Sequence, residues 1–180
     1  MKILMLGGSP HRHGTTRQLA DAFADGAALA GHALHYFDLA ARPAKPCLAC
    51  MHCRQEGAKG CVQDDVMREI YPLLLQADAV VLVTPLYYFG MSAQLKAALD
   101  RFFAVNGALR SRKGVKAVLL AACGDREEEA MDALRAHYQA VCHYLGWQDA
   151  GMVLAVGAYT PEDLAEMDAI SDARRLAELL

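Results

Sequence analysis

Short β-branched and aliphatic runs alternate along the chain with longer, alanine-rich stretches whose apolar positions recur at helical spacing. Residues 2–8 (KILMLGG) predict a buried strand ending in glycines. Residues 16–31 place Leu19, Ala20, Phe23, Ala27 and Ala30 on one helical face, with Gly31 as a C-cap. Residues 32–39 predict a strand of mixed polarity, which suits a sheet edge. No periodicity runs through 40–63, where prolines and cysteines concentrate. Residues 64–77 predict a helix with an acidic start, bent or interrupted by Pro72. Residues 78–85 and 115–124 predict two central strands, apolar on both faces. Between them, 92–105 predicts a helix with Leu95, Leu99, Phe102 and Phe103 inward. A long helix over 126–146, a strand over 150–159 and a final helix over 160–180, capped by Thr160 with Pro161 at its first position, complete the chain. Five strands alternating with helices predict an α/β fold with a parallel sheet covered on both faces.

Length and charge narrow the picture. A chain of 180 residues predicts one domain, 1–180, with a cysteine-rich insert at about 42–63. The net charge of −3, with no long basic run, argues against a nucleic-acid partner. No stretch is long and apolar enough for a membrane span or a signal peptide, so a cytoplasmic location is expected.

Ligands of such sheets bind beyond the carboxyl ends of the strands. Three loops lie there. The first, GGSPHRHGTT (7–16), opens a helix whose N-terminal N–H groups attract anions. Ser9, Thr15 and Thr16 add hydroxyls, and His11, Arg12 and His13 can add positive charge. That composition predicts a phosphate cradle, though neither a Walker A loop nor a GxGxxG fingerprint. The second, TPLYYFGMS (84–92), offers Pro85, Leu86, Tyr87, Tyr88 and Phe89 as a platform for a flat ring or as a subunit contact. The third places Cys123 and Gly124 beside the same ligand, with Cys123 read as a small buried residue. Together they describe a mononucleotide with a flat ring system.

Four of the six cysteines, Cys47, Cys50, Cys53 and Cys61, follow a C-x2-C-x2-C-x7-C spacing. Bacterial ferredoxin loops use the first three intervals for a [4Fe–4S] cluster. Structural zinc sites more often show two separated pairs. Free or disulfide-linked thiols are the third reading. The insert follows an edge strand, which places it on the rim of the proposed ligand loops.

These motifs resemble a known family. GGSPHRHGTT resembles the phosphate loop of flavodoxin-like NAD(P)H-dependent FMN reductases, and TPLYYFGMSAQLKAALDRF resembles their second loop and following helix. CLACMHCRQEGAKGCVQDDVMREI resembles the compact cysteine motif of the iron–sulfur flavoprotein branch, including its acidic pair. The resemblance implies a flavodoxin-like three-layer sandwich with a five-stranded parallel sheet in the order 2-1-3-4-5, usually as a homodimer or homotetramer. It implies FMN held by Ser9, His11, Arg12, His13, Thr15, Thr16, the 85–89 loop, Cys123 and Gly124. NAD(P)H would be the electron donor and a flavin or quinone the acceptor. The family often has Arg or Lys in place of His11, and Asn in place of His13 and Thr15, so phosphate binding here would depend more on pH. The cysteine motif implies a [4Fe–4S] cluster on Cys47, Cys50, Cys53 and Cys61. The alternative activity is then one-electron transfer with a ferredoxin-like partner, and a zinc-stabilised binding module is the third.

Overall fold

A computed structural model describes residues 1–58 and 60–180. Residue 59, within the cysteine-rich insert, lies outside the described residues. The parallel strands are β1 (Lys2–Gly7), β2 (Ala33–Asp38), β3 (Ala79–Tyr87), β5 (Lys116–Cys123) and β6 (Gln148–Val156). They run in the order β2-β1-β3-β5-β6, the expected 2-1-3-4-5 arrangement. A sixth strand was not expected. β4 (Gly90–Met91) turns back antiparallel on the end of β3, pairing Leu86 with Met91 and Tyr87 with Gly90. Register sets the carboxyl ends level: Gly7 pairs with Val83, Pro85 with Ala122, and Cys123 with Val156.

Alternate side chains along each strand enter opposite cores. On one face Ile3, Met5, Val81 and Leu120 pack against Leu19 and Phe23 of α1 (Thr15–Leu29). Two further helices, α6 (Pro161–Ala165) and α7 (Ala169–Glu178), close that face through Leu164, Ala173 and Ala177. On the other face Leu4, Leu6, Leu82 and Leu119 meet Met67 and Ile70 of α2 (Met67–Leu74), Leu95 of α3 (Ala93–Arg101), Leu109 of α4 (Asn106–Ser111) and Leu134 of α5 (Asp132–Leu145).

Several helices are shorter than their sequence period suggests. Pro72 lacks the N–H that would bond to the Arg68 carbonyl, and α2 ends two residues later. The helix expected over 92–105 passes into a 3₁₀ turn at Phe102–Val105. That change of pitch buries Phe102 but turns Phe103 outward to 40% exposure, where Arg54 stacks 5.5 Å from its ring centre. The helix expected over 160–180 breaks into α6 and α7, the first closed by a Thr160–Asp163 capping box.

One buried ion pair fastens the insert to this frame. Arg101 is 1% exposed. Its Nη1 donates to Asp65 Oδ2 at 2.8 Å and to the Lys45 carbonyl at 2.9 Å, and its Nη2 donates to Asp65 Oδ1 at 3.4 Å. Asp65 also accepts the N–H groups of Lys45 and Met67 at 2.9 and 3.0 Å. Burial alone would raise the Asp65 pKa, but the Lys45, Arg101 and Met67 donors outweigh it and hold the carboxyl below its ordinary value.

Because that pKa is lowered by folding, the carboxylate stabilises the fold fully above the unfolded value of about 3.9. The contribution is lost as pH falls through the lower folded value. Asp65→Ala leaves the Arg101 charge buried and unpaired, and the expected cost is about 3–5 kcal/mol. Urea unfolding at neutral pH checks this, and the gap to the natural protein should narrow on acidification below about pH 4.

Candidate functional site

The first loop leaves β1 through Gly7 and Gly8 and re-enters regular structure at α1. Gly8 donates to the Val83 carbonyl at 2.9 Å, which ties the loop to β3. Its own carbonyl accepts the Ser92 hydroxyl at 2.8 Å. A Cβ on Gly8 would stand 2.3 Å from Ser92 Oγ and 2.7 Å from Leu95 Cβ, so only glycine lets the loop approach the start of α3 this closely. Ser92 is fully buried and joins three elements. Its N–H donates to Thr84 Oγ1 at 2.9 Å, its hydroxyl donates to Gly8, and its Oγ accepts the Leu95 N–H at 3.4 Å as the N-cap of α3.

The helix end beyond the loop has donors to offer. Gly14, the N-cap of α1, has no side chain to satisfy them. The backbone N–H groups of Thr15 and Thr16 have no partner among the described residues. The first turn of α1 carries no acidic residue. Free N–H groups at the positive end of a 15-residue helix are suited to a phosphate.

These donors open on a cleft of about 450 Å³, within the usual size range of a small-molecule site. Ser9, His11, Arg12, His13, Thr15 and Thr16 line it, together with Pro85 from the second loop. Two residues that the sequence reading passed over also line it: Tyr159 and Pro161, which follow β6. Tyr159 was read as the end of a strand, but β6 stops at Val156 and the tyrosine is 81% exposed beside the cleft.

Other predicted residues stand around the cleft rather than in its wall. Leu86 is half-buried. Tyr87, Tyr88 and Phe89 form the tip of the β3–β4 hairpin and are exposed. Tyr88 and Phe89 both have positive φ, 45° and 62°, as a two-residue hairpin turn with the strands' own twist requires. Bulky aromatics hold such angles at a cost of about 1–3 kcal/mol each, and strain of this kind clusters at functional sites. Cys123 is buried, as expected, with its Sγ 3.5 Å from the Asp125 carbonyl, and burial pushes its thiol pKa up. Gly124 lies under Tyr159, whose Cδ2 would be 2.5 Å from a Cβ at that position.

A second cavity lies between the insert and the C-terminal end of α3. Cys47, Cys50, Cys53 and Cys61 all line it, with Arg101 and Phe103 on the helix side. The insert leaves from the rim of the first cleft, but its cysteines face the far end of α3. Nine residues separate that end from Ser92, about 13 Å along the axis at 1.5 Å per residue. Cys47 and Cys50 are exposed, and Cys53 and Cys61 are half-buried. Ala49 and Met51, between cysteines, have positive φ of 51° and 56°. Left-handed residues in a loop turn successive N–H groups inward, a geometry shared by many anion and Fe–S sites. The Ala49 N–H already lies 3.5 Å from Cys47 Sγ. Among the described residues, no three Cys, His, Asp or Glu side chains converge on one metal ion. The donor set is nonetheless one of four thiols around one cavity, and Arg101 Nε is a buried donor there without a partner.

Among the described residues, no helix is long and apolar enough to cross a membrane. Residues 1–160 match the family model of the NADPH-dependent FMN reductases. Two iron–sulfur flavoproteins of Methanocaldococcus jannaschii are similar in sequence. One is 37% identical over 101 residues, 56% of this chain and 51% of its own length. The other is 33% identical over 144 residues, 75% of this chain and 68% of its own. The match thus spans about half the length of the first relative. An azoreductase from Bacillus anthracis superposes over the whole of both chains with a TM-score of 0.76 at 16% identity, which shows the shared fold.

Ser92→Ala removes the partner of the buried Gly8 carbonyl and the cap of α3. It is expected to lower the unfolding free energy by about 1–3 kcal/mol. Thermal unfolding without ligand checks this, and the variant should also lose affinity for FMN because the first loop is no longer held against the second.

Proposed function

The chain belongs to the NADPH-dependent FMN reductase family, and on that premise we propose that it is an FMN-dependent oxidoreductase passing electrons from NAD(P)H to a flavin or quinone acceptor. The observation that carries this reading is the cleft between the first two loops, where α1 N–H groups without a partner among the described residues share the lining with Pro85. Bound FMN would supply the hydride chemistry. The chain's own part is binding, orientation and exclusion of water. Thr15 and Thr16 would meet the phosphate with N–H and hydroxyl donors, Ser9 would add a hydroxyl, Arg12 a charge, and His11 and His13 ring N–H groups. Pro85 and the hairpin behind it would carry the flat ring, and Tyr159 lines the same cleft. No proton-transferring side chain is required.

A homodimer or homotetramer in the cytoplasm completes the reading, with the exposed Tyr87, Tyr88 and Phe89 as contact surface.

Stopped-flow mixing of the FMN-loaded protein with NADPH, and separately with NADH, tests the reductase reading. Bleaching of the flavin band within seconds is expected with at least one donor, and none with either would remove it. Arg12→Ala is expected to raise the Kd for FMN about tenfold, the loss of one charge-assisted contact, as measured by fluorescence quenching.

The cysteine cavity favours a second reading. Four thiols around one cavity, with an N–H already on Cys47 Sγ, support a [4Fe–4S] cluster ligated by Cys47, Cys50, Cys53 and Cys61. The protein would then also exchange single electrons with a ferredoxin-like partner. Anaerobic purification with iron, sulfide and zinc analysis decides. About four irons per chain are expected, whereas flavin without iron would sink this second reading.

A further inference from the structure

Arg101 carries a donor that the described chain does not use. Its two Nη atoms are taken by Asp65 and the Lys45 carbonyl, while its Nε is buried and has no partner among the described residues. A buried N–H left unpaired costs about 1–3 kcal/mol, and more on a charged group. Such an orphan marks an acceptor still to come. Arg101 lines the cavity with the four cysteines. Of the other polar side chains of that wall, one Asp100 oxygen pairs with Lys96 at 2.5 Å, and the Gln63 amide nitrogen donates to the Pro46 carbonyl at 2.9 Å. The rest of the lining, such as Leu48, Val62 and Phe103, offers no side-chain acceptor. Four thiol sulfurs are the most numerous acceptors of that wall.

We propose that Arg101 is a positioning residue of the cysteine centre, donating its Nε–H to a sulfur there and setting its charge against the negative charge of the centre. The inference rests on the iron–sulfur reading above. Hydrogen bonds to the sulfurs and net charge both set the potential of such a centre, so Arg101 makes it easier to reduce. Asp65 grips both Nη atoms and fixes the plane of the guanidinium, which leaves Nε free for this contact. A purely structural Arg101 would serve Asp65 and Lys45 equally well and would leave the potential of the centre unmoved.

The test compares the natural protein with Arg101→Lys, both purified anaerobically, assayed for iron and sulfide, and checked for folding by circular dichroism. Lysine keeps the charge and can reach Asp65, but has no Nε. Reductive titration is followed by EPR. At the midpoint potential of the natural protein, the reduced-to-oxidised ratio of the cluster is expected to fall about tenfold in the variant, about 59 mV for a one-electron couple. An unchanged ratio overturns the inference and leaves the iron–sulfur reading standing. A natural protein that holds neither iron nor sulfide overturns that reading and the inference with it. Should the lysine variant not fold, isotope-labelled arginine in an Arg54→Lys background is read by pulsed EPR of the reduced cluster. A nitrogen coupling is expected there, and its absence overturns the inference.

Discussion

A single hydroxyl without access to solvent, that of Ser92, holds the candidate site together. It meets the first loop at Gly8 and the first turn of α3 through Leu95, while the N–H of the same residue donates to Thr84 of β3. Each contact is a modest hydrogen bond, worth about 1 kcal/mol net. Their value lies in geometry. The free N–H groups of α1 and the stiff Pro85 turn must face one cleft for a phosphate and a ring to be bound at once. Gly8 lets the loop come close enough for the hydroxyl to reach it, and Ser92 keeps it there.

The same helix carries that constraint to the other end of the molecule. α3 begins at the buried serine and ends at the buried arginine, and each end is fixed by polar contacts rather than by apolar packing alone. A buried ion pair is a poor device for raw stability, because desolvation offsets most of its attraction. Here it defines position. Asp65 and Arg101 fix the base of the insert, whose described residues form one short 3₁₀ turn, His52–Arg54, and add little to the core. The cysteines are thus presented on a loop whose base is held by those polar contacts.

Much of the scaffold was legible in the sequence. Strands covered on both faces are continuous apolar runs, and β1, β3 and β5 were readable for that reason. The phosphate loop was readable because its chemistry is local: small residues, hydroxyls and a helix start within ten positions. Contacts between distant residues were not readable. Ser92 stood only as the first residue of an expected helix, and nothing nearby signals that its hydroxyl serves Gly8, 84 positions away. Asp65 and Arg101 both fell within recognised motifs, but as an acidic helix start and the end of a helix. Their pairing across 36 positions needed the fold. Phe103 and Tyr159 were misplaced because helical or strand periodicity was extended past the point where pitch changes or pairing stops. The cysteine loop was the reverse case, plain in spacing but silent on which end of α3 it faces.

The central claim is that the first two loops and the start of α1 form one FMN site. The most direct test is a crystal structure of the protein grown with FMN. The account predicts the phosphate on the N–H groups of Thr15 and Thr16, with the ring against Pro85 and the hairpin behind it. A phosphate bound elsewhere, or a ring standing away from that turn while the cleft admits only solvent, would contradict it.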